Sequence, residues 1–142
     1  MTLRDRAAAE RGTLLRFVAR TPAGARGFVR STLSAWDRPD LIDDAELLVS
    51  ELVTNAMMHT GTDHASVGVT AHDEVVRIEV EDPSAAPIVR TVKTDLSEPG
   101  GLGLGIVDSI ARRWGVVQAD RGKTVWFELG APMLPLALPL DG

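Results

Sequence analysis

Ser50-Glu51-Leu52-Val53-Thr54-Asn55-Ala56-Met57-Met58-His59-Thr60 sets three polar side chains, Glu51, Asn55 and His59, four residues apart. At about 100° per residue they span a sector of about 80° on a helix. They border a stripe made by Leu41, Ala45, Leu48, Leu52 and Ala56. A carboxylate and an amide at the edge of an apolar face need partners, because leaving such groups dry and unpaired costs on the order of several kcal/mol. The stretch therefore predicts a helix that buries one face and presents polar chemistry beside it.

Working outward, Asp40 is a candidate N-cap for this helix and Gly61 its candidate end. Upstream, Thr21-Pro22 supplies a cap and a proline at a first helical position, opening a helix through Ala25, Phe28, Val29, Leu33 and Trp36 that Asp37-Arg38-Pro39 stops. Before it, Thr13 to Ala19 read as a strand. Downstream of Gly61 the period changes to two, and Ser66 to Ala71 and Val75 to Glu81 form a hairpin joined at His72-Asp73-Glu74. Val76, Ile78 and Val80 alternate with Arg77, Glu79 and Glu81, the pattern of a sheet with one dry side. By the same alternation Asp82 points to the dry side. There it either pairs with an internal donor or accepts one from a ligand, and opening a turn before Pro83 is an equal alternative.

Residues 83–100 carry three prolines and no convincing period, so they read as a long segment of the kind that forms lids. They lead into Pro99-Gly100-Gly101-Leu102-Gly103-Leu104-Gly105, followed by a helical spacing of Ile106, Val107, Ile110, Ala111 and Trp114 that stops at Gly115. Four glycines in six residues at a helix start make a nest of backbone N–H groups suited to a phosphate. The turn is neither a Walker A loop, having no Lys-Ser or Lys-Thr after it, nor a dinucleotide turn after a first strand. Val116 to Ala119 and Thr124 to Leu129 form a second hairpin around Asp120-Arg121-Gly122-Lys123 and complete the sheet.

Composition sets the outer limits. The length of 142 residues suits one domain, and a hydrophobic fraction of 44% with 25% charged residues is ordinary globular usage rather than disordered or fibrous. A net charge of −5 without a basic cluster argues against a direct grip on nucleic acid. The absence of cysteine excludes disulfides and zinc-thiolate sites. The start, MTLRDRAAAE, lacks the apolar core of a secretion signal, and the tail from Pro132 to Gly142 is too short and proline-rich to span a bilayer, so no membrane association and a cytoplasmic location are expected.

Four motifs, SELVTNAMMHTG, VEDPSAAP, GGLGLGIVDSIARRWGV and GKTVWFEL, stand in this order. Together they resemble the ATP-binding domain shared by DNA gyrase, histidine kinases and MutL, the GHKL or Bergerat fold, and are most similar to bacterial anti-sigma factor serine/threonine kinases. The resemblance implies an α/β (α+β) two-layer sandwich with helices on one face of a mixed, mostly antiparallel sheet. It covers a kinase domain at 12–130, between a lead-in at 1–11 and a Pro/Leu-rich tail at 131–142.

The resemblance also implies roles. Asn55 would coordinate the Mg2+ that bridges the phosphates of ATP, and Asp82 would accept a hydrogen bond from the adenine amine. Gly101, Gly103 and Gly105, with the N–H of Leu104, would hold the phosphates. Thr124 would lie near the adenine, although its strand face is opposite to that of Val125, Phe127 and Leu129. Glu51 would be the general base for an attacking hydroxyl. His59 reads as a packed or hydrogen-bonded helix-end residue. The implied partners are a sigma factor, a STAS-type anti-sigma factor antagonist and a second copy of the chain in a homodimer.

Two departures stand out. Where the superfamily carries Asp-x-Gly-x-Gly, this chain has Asp82-Pro83-Ser84-Ala85-Ala86, and Met58 stands where many relatives have a basic residue. The main reading is thus a partner-switching kinase, and the alternative is an ATP-binding module that switches partners without phosphoryl transfer. A fragment of a histidine kinase or of a DNA-dependent ATPase is a third expectation, disfavoured because no phospho-acceptor helix pair or transducer domain is present in these residues.

Overall fold

Five short runs of alternating or β-branched residues become the five strands of one sheet in a computed structural model that describes residues 14–83, 104–118 and 122–130. The strands are β1 (Leu15–Ala19), β2 (Ala65–His72), β3 (Val75–Asp82), β4 (Arg113–Gln118) and β5 (Lys123–Gly130), and the helices are α1 (Pro22–Ala35), α2 (Ile42–Thr60) and α3 (Leu104–Ile110). The strand order is β1-β2-β3-β5-β4. Every pairing among the described residues is antiparallel, so no parallel pair accompanies the two-layer α/β arrangement expected from the motifs.

Local chemistry explains the helix ends. Thr21 caps α1 through its hydroxyl, which accepts from Gly24 N at 2.9 Å, with Pro22 at the first helical position. α2 begins differently from expectation: Pro39–Leu41 form a turn of 3-10 helix, and no side chain caps the helix at Leu41. Asp40 instead takes two hydrogen bonds from Arg38, each 3.1 Å. Gly61, at φ 75°, ends α2 in the left-handed conformation that glycine adopts without strain.

α1 and α2 pack on the sheet and on each other. The predicted stripe Leu41, Ala45, Leu48, Leu52 and Ala56 is buried, as are Ala25, Val29 and Leu33 of α1. Facing them are Val67 and Val69 of β2, Val76, Ile78 and Val80 of β3, and Phe127 and Leu129 of β5. Arg30 on α1 grips Glu46 on α2 at 2.6 and 3.2 Å, and Arg26 donates to Ser50 at 2.8 Å, so the two helices are fastened along their length. The opposite face of the sheet is polar. Arg77 lies 4.0 Å over the Trp126 ring, and Glu128 pairs with both Arg77 and Arg113.

The third helix is shorter than the apolar spacing predicted. α3 ends at Ile110, and Trp114 and Gly115 belong to β4, opposite Phe127 and Trp126. Ala111 N still donates to Val107 O at 2.8 Å, whereas Arg112 N already donates to Glu128 O at 2.8 Å, which marks the handover from helix to sheet. The segment at 84–103, most of the second turn, the lead-in and the tail lie outside the described residues.

Candidate functional site

Three of the side chains singled out from sequence can be placed on rigid elements. Glu51 and Asn55 are one turn apart on α2, both partly buried, beside the buried Leu52 and Ala56. Asp82, the last residue of β3, is 2% exposed and faces the dry side as the alternation predicted. Gly101 and Gly103 fall outside the described residues, as does the His59 side chain. Leu104 and Gly105 open α3, with Leu104 1% exposed and packed in the core.

Asn55 Nδ2 is shielded from solvent and has no hydrogen-bond partner among the described residues. Such an orphan costs about 1–3 kcal/mol, so a group from outside this set of residues is needed to satisfy it. Turning the amide through 180° exchanges N and O without altering its shape, so the same position can offer an oxygen to a cation. Among the described residues no group of three acidic or histidine side chains could hold a metal. Asn55 would fit a magnesium ion in the manner usual for that ion, giving it one protein oxygen beside ligands from phosphate and water.

Asp82 has an internal donor that the motif analysis missed. Lys123 Nζ donates to Asp82 Oδ2 at 2.9 Å, and Lys123 is itself 9% exposed. The sequence reading put Lys123 in the turn; it is the first residue of β5, directly opposite Asp82. The signal was available: Lys123 is in phase with Val125, Phe127 and Leu129, the dry-face residues of its strand. Gly122 sets that phase. At φ 96° it adopts a backbone shape that side chains resist, and a Cβ there would collide with the Asp82 carbonyl oxygen.

Thr124 is correspondingly not brought to Asp82. It stands opposite Glu81 and Val117, one residue out of phase, on the polar face of the sheet. In the row that contains Asp82, the neighbouring positions are Lys123 and then Gln118, whose Nε2 donates to Gly122 O at 3.5 Å.

The arrangement can thus do three things: satisfy or coordinate a group at Asn55, offer a carboxylate at Glu51 one turn away, and present an acceptor–donor pair at Asp82 and Lys123. A family model described as the histidine kinase-like ATPase domain matches residues 18–129, which contain all of these side chains. No curated protein matches the chain.

Proposed function

The chain belongs to the family of histidine kinase-like ATPase domains, the GHKL type, and from that premise we propose that it is an ATP-dependent serine/threonine protein kinase of the anti-sigma factor type. Its substrate would be a small STAS-type anti-sigma factor antagonist, and its second partner a sigma factor released or held according to the phosphorylation state. The observation that carries this reading is the pairing on one helix of an orphaned buried amide, Asn55, with a carboxylate, Glu51, one turn before it.

Magnesium, when bound, neutralises charge on the phosphates. Asn55 would supply it with an oxygen, and Asp82 would accept from the adenine amine on the dry side of β3. Glu51 takes the proton of the attacking serine or threonine hydroxyl as its oxygen bonds to the γ-phosphorus, while the bond from that phosphorus to the β–γ bridging oxygen breaks and ADP leaves. Phosphoryl transfer depends mainly on positioning and charge neutralisation, which suits a base and a metal ligand fixed on the rigid, well-buried α2. The glycines at 101, 103 and 105 complete the phosphate contacts in this reading.

A second reading has its own support. Asp82 is followed by Pro83-Ser84-Ala85-Ala86 rather than the family's glycines, which favours an ATP-responsive module that switches partners without transfer. Incubation with γ-labelled ATP and a candidate antagonist separates the two: label on an antagonist serine supports the kinase, and tight nucleotide binding without label supports the module. Glu51→Ala is expected to keep ATP binding and lose roughly 10²–10⁴ in transfer rate, whereas Asn55→Ala and Asp82→Asn weaken binding itself. Equal loss of affinity in all three would sink the base assignment. Among the described residues no helix is long and apolar enough to cross a membrane.

A further inference from the structure

We propose that Lys123 reads the nucleotide base together with Asp82, making it a specificity-determining residue of the site; the role rests on the ATP-binding reading above. Asp82 and Lys123 are opposite one another on β3 and β5, both on the dry face, with Nζ 2.9 Å from Oδ2. The next row along the sheet is apolar, Val80, Val125 and Val116, so this is the point where the dry face turns from aliphatic to charged.

Stability alone gives a weak account of such a pair. Removing two charges from water costs nearly as much as their attraction returns, and an apolar pair of similar size would hold the strands together as well. What the pair offers that an apolar pair cannot is an acceptor and a donor side by side. An ammonium has three N–H donors, and the bond to Oδ2 uses one of them. A carboxylate has two oxygens and accepts several hydrogen bonds at once. The edge of adenine carries the complement of this pair, an exocyclic amine that donates and, next to it, the ring nitrogen N1 that accepts. In this arrangement the amine donates to Asp82 while Lys123 donates to N1. Guanine and hypoxanthine reverse the order, with a carbonyl oxygen where the amine was and an N–H at N1, so they set oxygen against carboxylate and N–H against ammonium. Gly122 fixes the geometry, because its backbone lies against that of Asp82 and brings Lys123 into the same row instead of leaving it in the turn.

The test is equilibrium binding of the full chain to ATP and to 1-deaza-ATP, in which a C–H replaces N1. Wild type is expected to bind the deaza nucleotide roughly ten- to a hundredfold more weakly, the range for a hydrogen bond from a charged donor. In Lys123→Met the ratio of the two affinities falls to about one, whatever happens to the absolute values. If Lys123→Met does not fold, the double variant Asp82→Asn with Lys123→Met removes the buried charge, keeps an acceptor for the amine, and is expected to show the same ratio of about one. Equal binding of the two nucleotides by wild type overturns the role, as does an unchanged ratio in the variant, which would leave Lys123 as a counter-charge for Asp82 only. Failure of wild type to bind ATP at all would instead fell the ATP-binding reading, and the base role with it.

Discussion

At one end of the β3–β5 pair Gly130, at φ 88°, sits where a Cβ would strike the carbonyl oxygen of Glu74; at the other Gly122, at φ 96°, sits where a Cβ would strike that of Asp82. Each end also has a basic side chain at its glycine, Arg38 beside Gly130 and Lys123 after Gly122. The difference lies in what the bases do. Arg38 donates to Glu74 O at 2.8 Å and pairs with the carboxylates of Asp40 and Glu74, which reach solvent. Lys123 and Asp82 are closed off from water and neutralise each other. Water supports the charges at the Arg38 end, so that end is a fastening. At the Asp82 end solvent gives the charges little support, which suits the base-reading role proposed for Lys123 better than that of a clasp.

Breaking the buried end should produce the largest effect. Lys123→Met with Asp82 kept leaves a carboxylate in the dry face and is expected to cost about 3–5 kcal/mol, read as a lowered midpoint in urea unfolding with an unchanged slope. The double variant Asp82→Val with Lys123→Met replaces the pair by apolar groups and is expected to recover most of that stability while binding no ATP. If the single variant were as stable as wild type, the pair would not be buried as described, and the contrast between the two ends would collapse.

The glycines sharpen the comparison at a smaller scale. Gly122→Ala and Gly130→Ala each force a side chain into a positive-φ position against a carbonyl, at an expected cost of roughly 1–3 kcal/mol. The losses in stability should be similar, but the losses in nucleotide affinity should not. Only Gly122→Ala displaces Lys123 from Asp82, so only it is expected to weaken binding of a fluorescent ATP analogue. Equal weakening by both would mean that the alanines act through the sheet as a whole.

Much of this was legible in the chain because burial and backbone chemistry leave local marks. The α2 stripe, the Thr21 cap, the Gly61 stop and the inward aim of Asp82 each follow from spacing or from one residue's conformational preference. The errors share a cause, which is that a residue can satisfy two periods at once. Trp114 is four residues after Ile110, in helical phase, and is equally in phase with the dry face of β4, where it meets Phe127. Only the strand pairing, with Arg112 N already bonded to Glu128 O, decides between them. Lys123 was hidden for a related reason: next to glycine in a run of charged residues it resembles a turn, and only cross-strand register places it opposite Asp82. Asp40 carries the sequence of a cap, yet Arg38, two residues away, competes for its carboxylate with the helix N–H groups and holds it. Local preference identifies candidates, and partners distant in sequence select among them.

That last competition gives the smallest and most condition-dependent effect. The hydrogen bond from Arg38 holds the Asp40 carboxyl below its ordinary range, with the charge of the same guanidinium adding to it against the cost of burial. A carboxyl whose folded value is depressed contributes stability above its unfolded value of about 3.9, and loses that contribution as the pH falls through the lower folded value. The side chain is 61% exposed, so solvent screens the pair, and Asp40→Asn is expected to cost under about 0.5 kcal/mol at neutral pH. The difference between wild type and Asp40→Asn should be constant from about pH 5 to 8, shrink as the solution is made more acidic than about pH 4, and diminish in high salt. Unfolding midpoints measured in parallel across that range check it. A loss that instead persisted undiminished into acid would mean that Asp40 acts through its shape or its backbone, in which case the clasp at this end of the sheet would rest on Arg38 and Glu74 alone.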